Sequence, residues 1–441
     1  MAAVTALAFL PILQNGFVDF DDAEGLVVNT WIRGLGAANL RWMLTTFHLG
    51  HWQPLAWLSF ALDYRLWGLD ARGFHLTSLL LHAANAALLA VLAERLLACA
   101  DVPAGRRLAG AVTAALLWSV HPLRVESVAW ATERRDVLSG FFFLATLLAY
   151  VPGPGRPPRI GWALAGTALT LASKASGMVL PALLVLLDLY PLRRVGGAVG
   201  WRGRAARRVW LEKVPFVILA GASATVALTA QRSVGALQTL GEVTAAHRAG
   251  AAMLQVGFYL WRTLWPVRLL PLYEFPLDIG PLQRWALAGA GTVLALAAAA
   301  VVLRHRCPAL GAALAAYLIA LSPTLGLAQS GPQVAADRYT YLAMMGWPCS
   351  PAQWSQARRS APGAARWRRS LSRSCSACSP GGSLRPGATP ARCGHAWSPS
   401  PPTTPTATRA SATWLGTPAT SAPPSPSTGA PSRSVPLPRR T

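Results

Sequence analysis

A cluster of carboxylates follows the first apolar segment of the chain. From Gly16 the sequence reads Gly-Phe-Val-Asp-Phe-Asp-Asp, which places Asp19, Asp21 and Asp22 within four positions. Carboxylates are costly to place in a bilayer, so three of them beside an apolar segment belong at the membrane surface. Adjacent carboxylates can act as a general base or hold a cation. The alternative is a solvated loop in which one aspartate caps a helix.

The segment that follows the carboxylates is rich in aromatic residues. It holds Trp31, Trp42, Phe47, Trp52, Trp57, Phe60, Tyr64 and Trp67. This composition predicts amphipathic helical structure that lies flat in the membrane interface. His51 stands among these aromatics as a candidate pocket residue, although a lone histidine in such a place is more often structural.

Seven long apolar runs position these residues. They cover residues 76–98, 109–120, 137–151, 176–190, 214–230, 285–303 and 309–325. The chain is 53% hydrophobic and only 13% charged, whereas a soluble domain carries about 25% charged residues. Because a span needs roughly 20 mostly apolar residues, spans built on the shorter runs must include flanking residues. The pattern predicts an all-α polytopic membrane protein with about nine spans in residues 1–347.

Basic residues between the apolar runs predict the orientation. Cytoplasmic loops collect Lys and Arg, and arginines concentrate in loops 152–159 and 191–213 and in the turn 304–306. The loops 16–75 and 121–136 then face outward. Since topology explains much of the net charge of +23, we expect no nucleic-acid partner. Abundant arginine with scarce lysine is typical of a GC-rich bacterium, which favours the plasma (inner) membrane with loop 16–75 periplasmic or extracellular.

The chain changes character after Trp347. Residues 348–441 hold twelve Arg and many Pro, Ser and Ala residues, but no Asp, Glu or Lys. They lack helical or strand periodicity, so we predict a disordered tail. The composition also resembles GC-rich DNA translated out of frame, and we interpret the tail as frameshifted. The spacing of Cys375 and Cys378 is similar to that of a zinc site, but we expect no metal in so patternless a segment.

Six strings, in order over residues 16–347, resemble the membrane half of the TMTC-type proteins, which join a polytopic membrane domain to tetratricopeptide repeats. The strings are FVDFDD, HWQPLAWLSFALDYRLWGLDARGFHLTSLLLHAANA, HPLRVESVAWATERRDVLSGFFF, SKASGMVLPALLVLLDLYPL, LWPVRLLPLYEFP and SPTLGLAQSGPQVAADRYTYLAMMG. The resemblance implies a GT-C type glycosyltransferase fold, a helical bundle whose long first outward loop carries an acidic motif. It implies that the tail replaces the last spans and the repeats.

The resemblance also implies roles for individual residues. The acidic pair of the family matches Asp21 and Asp22, one of which would deprotonate an acceptor hydroxyl. The donor would be a sugar on a polyprenyl or dolichyl phosphate, and cations would stabilise the leaving phosphate. The candidate cations in the outward loops are Lys174, Arg338, Arg134 and Arg135. The candidate pocket residues are Glu126, Asp136, His121 and His51. No cofactor is expected, and a divalent cation is compatible with this chemistry without being required.

Three functions are compatible with the sequence. The first is a membrane glycosyltransferase, similar to protein O-mannosyltransferases, that moves a sugar from a polyprenyl-phosphate donor to a protein or other hydroxyl acceptor at the outer face. The second is a non-catalytic membrane anchor of a tetratricopeptide scaffold. The third is a transporter or lipid flippase, which would need ionisable residues at mid-span. The best candidate for such a residue, Asp188, lies near a span end.

Overall fold

The part of the chain that the structure describes is built from helices. This computed structural model describes residues 1–153, 157–236, 244–270, 273, 284–326 and 335–346. Within these ranges β-pairing is limited to two isolated bridges, so the predicted all-α class is confirmed. The predicted tail at 348–441 lies outside the described residues.

The predicted outward loop 16–75 folds into a compact helical layer. Helix α1 (Ala2–Phe9) precedes this layer, which contains α2 (Ala37–Thr45) and α3 (Pro54–Trp67), and then α4 (Ala71–Cys99) begins. Helix α4 starts inside the predicted loop because a carboxylate oxygen of Asp70 accepts the Arg72 N–H at 3.0 Å and caps it. Two of the loop aromatics, Trp57 and Phe60, are fully buried within the protein.

Ten further α-helices follow α4 in the described ranges. They are α5 (Ala104–Ser119), α6 (Val125–Ala129), α7 (Arg134–Tyr150), α8 (Ile160–Ser173), α9 (Leu180–Leu189), α10 (Arg204–Ser233), α11 (Ala245–Leu264), α12 (Arg284–Val302), α13 (Pro308–Leu321) and α14 (Thr340–Ala343). All seven apolar runs read from the sequence fall on helical segments, as expected.

Helices α4 and α10 are each long and apolar enough to cross a membrane. They have 29 and 30 residues, and a third crossing is formed if α5 and the segment Pro122–Ala129, bent by 60°, count as one span. Five shorter apolar segments accompany them in the described ranges: Ala2–Gln14, Ile160–Ser173, Ala175–Leu189, Ala286–Val302 and Pro308–Thr324. The protein is therefore a membrane protein, and the count of about nine spans stays a prediction.

Helix α7 connects two charged ends of the helical bundle. Its first turn begins with Arg134, and its last residue is Tyr150. Seventeen residues extend about 25 Å at 1.5 Å per residue. At the far end the Tyr150 hydroxyl donates to Asp188 at 2.6 Å, and Asp188 is paired with Lys213 at 2.6 Å. The charge of Asp188 is thus paired with a cation at a helix end, the position that the sequence indicated.

Candidate active site

A buried carboxylate, Glu133, is the centre of an ion cluster at the start of α7. Arg135 donates to it through Nε at 3.1 Å and through a second guanidinium nitrogen. Lys174 Nζ and Arg338 Nε each lie 3.3 Å from its oxygens. Burial alone would raise the pKa of Glu133, but the three cations together hold that pKa well below its usual range. An ionised Glu133 therefore gathers three cations in one place.

The three cations come from distant parts of the chain. Arg135 lies in the first turn of α7, and Lys174 directly follows the last residue of α8. Arg338 lies in the 3-10 turn Asp337–Tyr339. The loop before α7, the end of α8 and the turn before α14 must therefore meet for the cluster to form.

Two further carboxylates pair with two of these cations, Lys174 and Arg338. Asp136 lies 2.5 Å from Lys174 Nζ and accepts the Ser127 hydroxyl at 3.0 Å. Glu126 accepts the backbone N–H of Arg338 at 2.7 Å and pairs with its guanidinium. Five residues predicted from the sequence, the cations Arg135, Lys174 and Arg338 and the carboxylates Glu126 and Asp136, thus belong to one cluster.

The acidic pair at 21–22 is divided between two environments. Asp22 is fully buried and accepts the N–H groups of Val18 at 3.0 Å and Thr132 at 2.8 Å, together with the Thr132 hydroxyl. The Asp21 side chain is 38% exposed and lies 3.8 Å from Arg135. Burial raises the pKa of Asp21, and Arg135 opposes that rise. Asp21 is therefore the accessible carboxylate of the pair.

A small pocket adjoins the cluster. It encloses about 50 Å³ and is lined by residues 50–53, Arg135, Lys174 and one face of α10. Burial, followed by the charge of Arg135, lowers the pKa of His51 well below its usual range, so this imidazole is neutral. The Gln53 amide nitrogen is buried and has no hydrogen-bond partner among the described residues. A buried donor without a partner is costly, and a bound water or ligand is one way to satisfy it.

Helix α10 fixes the loop that forms one wall of this pocket. Gln231 donates from its amide to the Gly50 carbonyl at 2.7 Å. Gly50 has a φ of +72°, and a Cβ at this position would lie 2.9 Å from a methyl carbon of Val234. The backbone conformation therefore favours glycine here, and a Cβ would also require the Val234 side chain to shift.

Two predicted site residues lie away from the cluster. Arg134 is fully buried, pairs with Asp63 at 2.5 Å and lies over the Phe60 ring at 4.7 Å. His121 hydrogen-bonds through Nε2 to the Thr263 carbonyl at 3.1 Å and so ties the segment before α6 to the end of α11. Their contacts in the structure hold helices together.

Glu133 is the cluster residue that sequence reasoning missed. A signal for it was present, because Glu133 and Asp136 flank two arginines in the string Glu-Arg-Arg-Asp. No group of three or more His, Cys, Asp or Glu side chains in the described ranges is arranged to hold a metal ion. The cysteines of the tail lie outside those ranges.

The fold and site define a polytopic helical membrane protein with an accessible aspartate beside a buried cluster of cations. Curated relatives of this chain are TMTC-type proteins. It is 33% identical over 161 residues to the protein O-mannosyl-transferase Tmtc1 of Drosophila melanogaster, covering 34% of this chain and 18% of that protein. It is 30% identical over 210 residues to the protein O-mannosyl-transferase Tmtc2 of the same organism, covering 43% of this chain and 21% of that protein. It is 38% identical over 102 residues to the protein O-mannosyl-transferase tmtc2 of Xenopus laevis, covering 23% of this chain and 11% of that protein.

These comparisons confirm the resemblance to the TMTC-type membrane domain. The matched stretches span about a fifth or less of the length of these relatives. No family model matches the chain, and no solved structure matches it.

Proposed function

We propose that this chain is a GT-C-like membrane glycosyltransferase, similar to protein O-mannosyltransferases. It would transfer a sugar from a polyprenyl-phosphate donor to a hydroxyl of a protein or other acceptor, at the outer face of the plasma membrane. The observation that carries this proposal is the accessible Asp21 carboxylate, 3.8 Å from Arg135 in a cluster of three cations. The names of the relatives, all protein O-mannosyl-transferases, support the same class of reaction.

Asp21 is assigned the role of general base. It takes the proton of the acceptor hydroxyl as that oxygen attacks the anomeric carbon of the sugar. A new carbon–oxygen bond forms, and the bond from the anomeric carbon to the phosphate oxygen breaks. The phosphate leaves with the bonding electrons. A pKa raised by burial makes Asp21 a stronger base than an exposed aspartate, provided that it is ionised at the working pH.

The cations are assigned the role of stabilising the negative charge on the leaving phosphate. Lys174 is the most accessible of them, since its side chain is 18% exposed and lines the pocket, whereas Arg135 and Arg338 are each 6% exposed. Positioned cations in a site that excludes water stabilise developing negative charge strongly. A donor phosphate would compete with Asp136 for Lys174, so donor binding exchanges one anion for another at this ammonium group.

The neutral groups of the pocket suit a sugar. His51 is held neutral, and the Gln53 amide offers an unpartnered N–H group. Both can form hydrogen bonds with uncharged hydroxyl groups. Because the pocket encloses only about 50 Å³, a sugar would have to displace the loop 50–53 or enter only in part.

Sugar transfer by membranes containing the full chain tests this proposal. The donor is polyprenyl-phosphate mannose with a labelled sugar, and the label in protein and other acceptors is measured. Wild type should transfer the label, and Asp21→Asn should not. Equal transfer by both chains would instead support the alternative, a non-catalytic membrane anchor, in which the carboxylates have no chemical role.

A further inference from the structure

A second basic surface lies at the beginning of α10, far from the candidate active site. It consists of Trp201, Arg202, Arg204, Arg207 and Trp210, and we call it the Arg–Trp surface. All five side chains are exposed. The two indole rings stack with centroids 6.5 Å apart, and Trp210 Nε1 donates to the Trp201 carbonyl at 3.3 Å. The aromatic pair is thus held in place by a contact within the surface.

The arginines of this surface have no acidic partner among the described residues. The carboxylates near this end of the protein are already engaged, since Glu212 pairs with Arg194 and Asp188 pairs with Lys213. Arg202, Arg204 and Arg207 therefore present three uncompensated guanidinium groups. An anionic partner would complement this charge.

A groove of about 570 Å³ runs from these arginines onto an apolar face of α10. The groove is lined by the Arg–Trp surface together with Gly203, Leu211 and Val214. Leu211 and Val214 are 59% and 48% exposed, and Val217 and Ile218 farther along α10 are 56% and 64% exposed. These apolar residues lie on a helix long enough to cross a bilayer, so their exposed faces belong in hydrocarbon.

We propose that the Arg–Trp surface binds an anionic membrane phospholipid. The guanidinium groups hold the headgroup phosphate, which their planar fork matches. The stacked indoles lie at the headgroup level, where tryptophan is favoured. The acyl chains then follow the apolar face from Leu211 to Ile218. Basic pockets beside transmembrane helices on the cytoplasmic side bind anionic lipids in this manner.

This lipid site is separate from the proposed donor site. Gln231, near the end of α10, contacts Gly50 at the pocket beside the cation cluster, whereas Arg204 begins the same helix. A helix of 30 residues is about 45 Å long. The two sites therefore lie on opposite faces of the membrane, and the phospholipid would fix the depth of the helix that lines the pocket.

Retention of lipid by the purified full chain tests the proposal. The chain is extracted in detergent containing equimolar phosphatidylglycerol and phosphatidylcholine, and the lipid that remains bound is quantified by native mass spectrometry. Wild type should retain phosphatidylglycerol about 10-fold over phosphatidylcholine, the ratio that roughly 1.4 kcal/mol of preference gives. Arg204→Gln with Arg207→Gln should lose that preference. Arg304→Gln with Arg306→Gln, which removes the same charge from another exposed turn, should keep it.

Two further measurements, on a lysine variant and with competing inorganic phosphate, test the proposal even if the glutamine variant inserts poorly into the membrane. Arg204→Lys with Arg207→Lys keeps the charges that orient the helix but removes the guanidinium forks, and it should show a reduced preference. Excess inorganic phosphate should not displace the lipid. Equal retention of the two lipids by wild type, an unchanged preference in the glutamine variant, or displacement by inorganic phosphate would each overturn the proposal.

Discussion

Asp21 and Asp22 are neighbours in the chain, but they have opposite environments. Both oxygens of Asp22 are occupied by N–H and hydroxyl donors from Val18 and Thr132. The Asp21 side chain is 38% exposed and faces Arg135. Asp22 joins the segment after α1 to the loop before α7, and this junction places Asp21 beside the cations. We therefore predict a structural role for Asp22 and, under the proposed function, a chemical role for Asp21.

We predict that Asp22→Ala destabilises the protein. The substitution leaves the buried N–H group of Thr132 without its acceptor, and an unsatisfied buried group costs about 1–3 kcal/mol. The melting temperature in detergent should fall accordingly. Asp19→Ala is the matched control, because Asp19 is exposed and surface changes stay within about 0.5 kcal/mol. Equal melting temperatures for the two variants would contradict a structural role for Asp22.

Removing the central anion should also be costly. Glu133→Gln leaves Arg135, Lys174 and Arg338 close together without their shared counterion. Breaking a buried ion pair by removing one partner costs about 3–5 kcal/mol, so a large loss of thermal stability is expected. Glu94→Gln tests the specificity of this effect, because Glu94 pairs with Arg107 at 3.7 Å with both side chains partly exposed. Such a pair contributes about 0–1 kcal/mol, and comparable losses in both variants would be inconsistent with the cluster.

The pH dependence of transfer should respond to Arg135. Asp21 must be ionised to accept a proton, so the rate falls as the pH drops through its pKa. Burial raises that pKa and Arg135 lowers it. Arg135→Gln should therefore raise the pKa further and move the acid limb of the rate–pH profile to higher pH. Arg135→Lys keeps the charge and should leave the limb near its wild-type position. An acid limb that moves to lower pH in Arg135→Gln would contradict Asp21 as the base.

Arg134 should act on stability and leave donor binding unchanged. Arg134→Leu leaves Asp63 buried without its partner, at a cost of about 3–5 kcal/mol. Arg134→Leu with Asp63→Leu removes both charges, and replacing a buried pair by apolar side chains is often nearly neutral. The double variant should therefore melt closer to wild type than the single one. A raised KM for the polyprenyl-phosphate sugar in the folded double variant would show that Arg134 contacts the donor after all.

The helices could be predicted from the sequence, whereas the structure of residues 16–75, the predicted outward loop, could not. Long apolar runs determine where helices form in a membrane protein, and all seven runs coincide with helical segments. The loop aromatics were expected to lie flat in the interface. Instead Trp57 and Phe60 are buried, because they pack mainly with Met43, Phe74 and other apolar side chains of the same segment. Helical periodicity alone does not reveal this packing.

The members of the ion cluster could be predicted better than their arrangement. Lone cations and carboxylates in the predicted outward loops are detectable by residue type, but their pairing depends on how α7, α8 and the turn at Asp337–Tyr339 meet. Arg134 and Arg135 look equivalent in the sequence, yet successive residues of a helix point about 100° apart. Arg135 therefore reaches Glu133, while Arg134 reaches Asp63. Glu133 was overlooked because its role depends on that same geometry.

The most direct test is the rate of sugar transfer by purified Asp21→Asn, measured at saturating donor and acceptor. Positioned general bases contribute typically 10²–10⁴-fold, so the rate should fall by about that factor while the melting temperature stays at the wild-type value. Asp19→Asn should transfer at the wild-type rate. If folded Asp21→Asn transfers sugar as fast as Asp19→Asn does, Asp21 is not the base and the proposed mechanism is wrong.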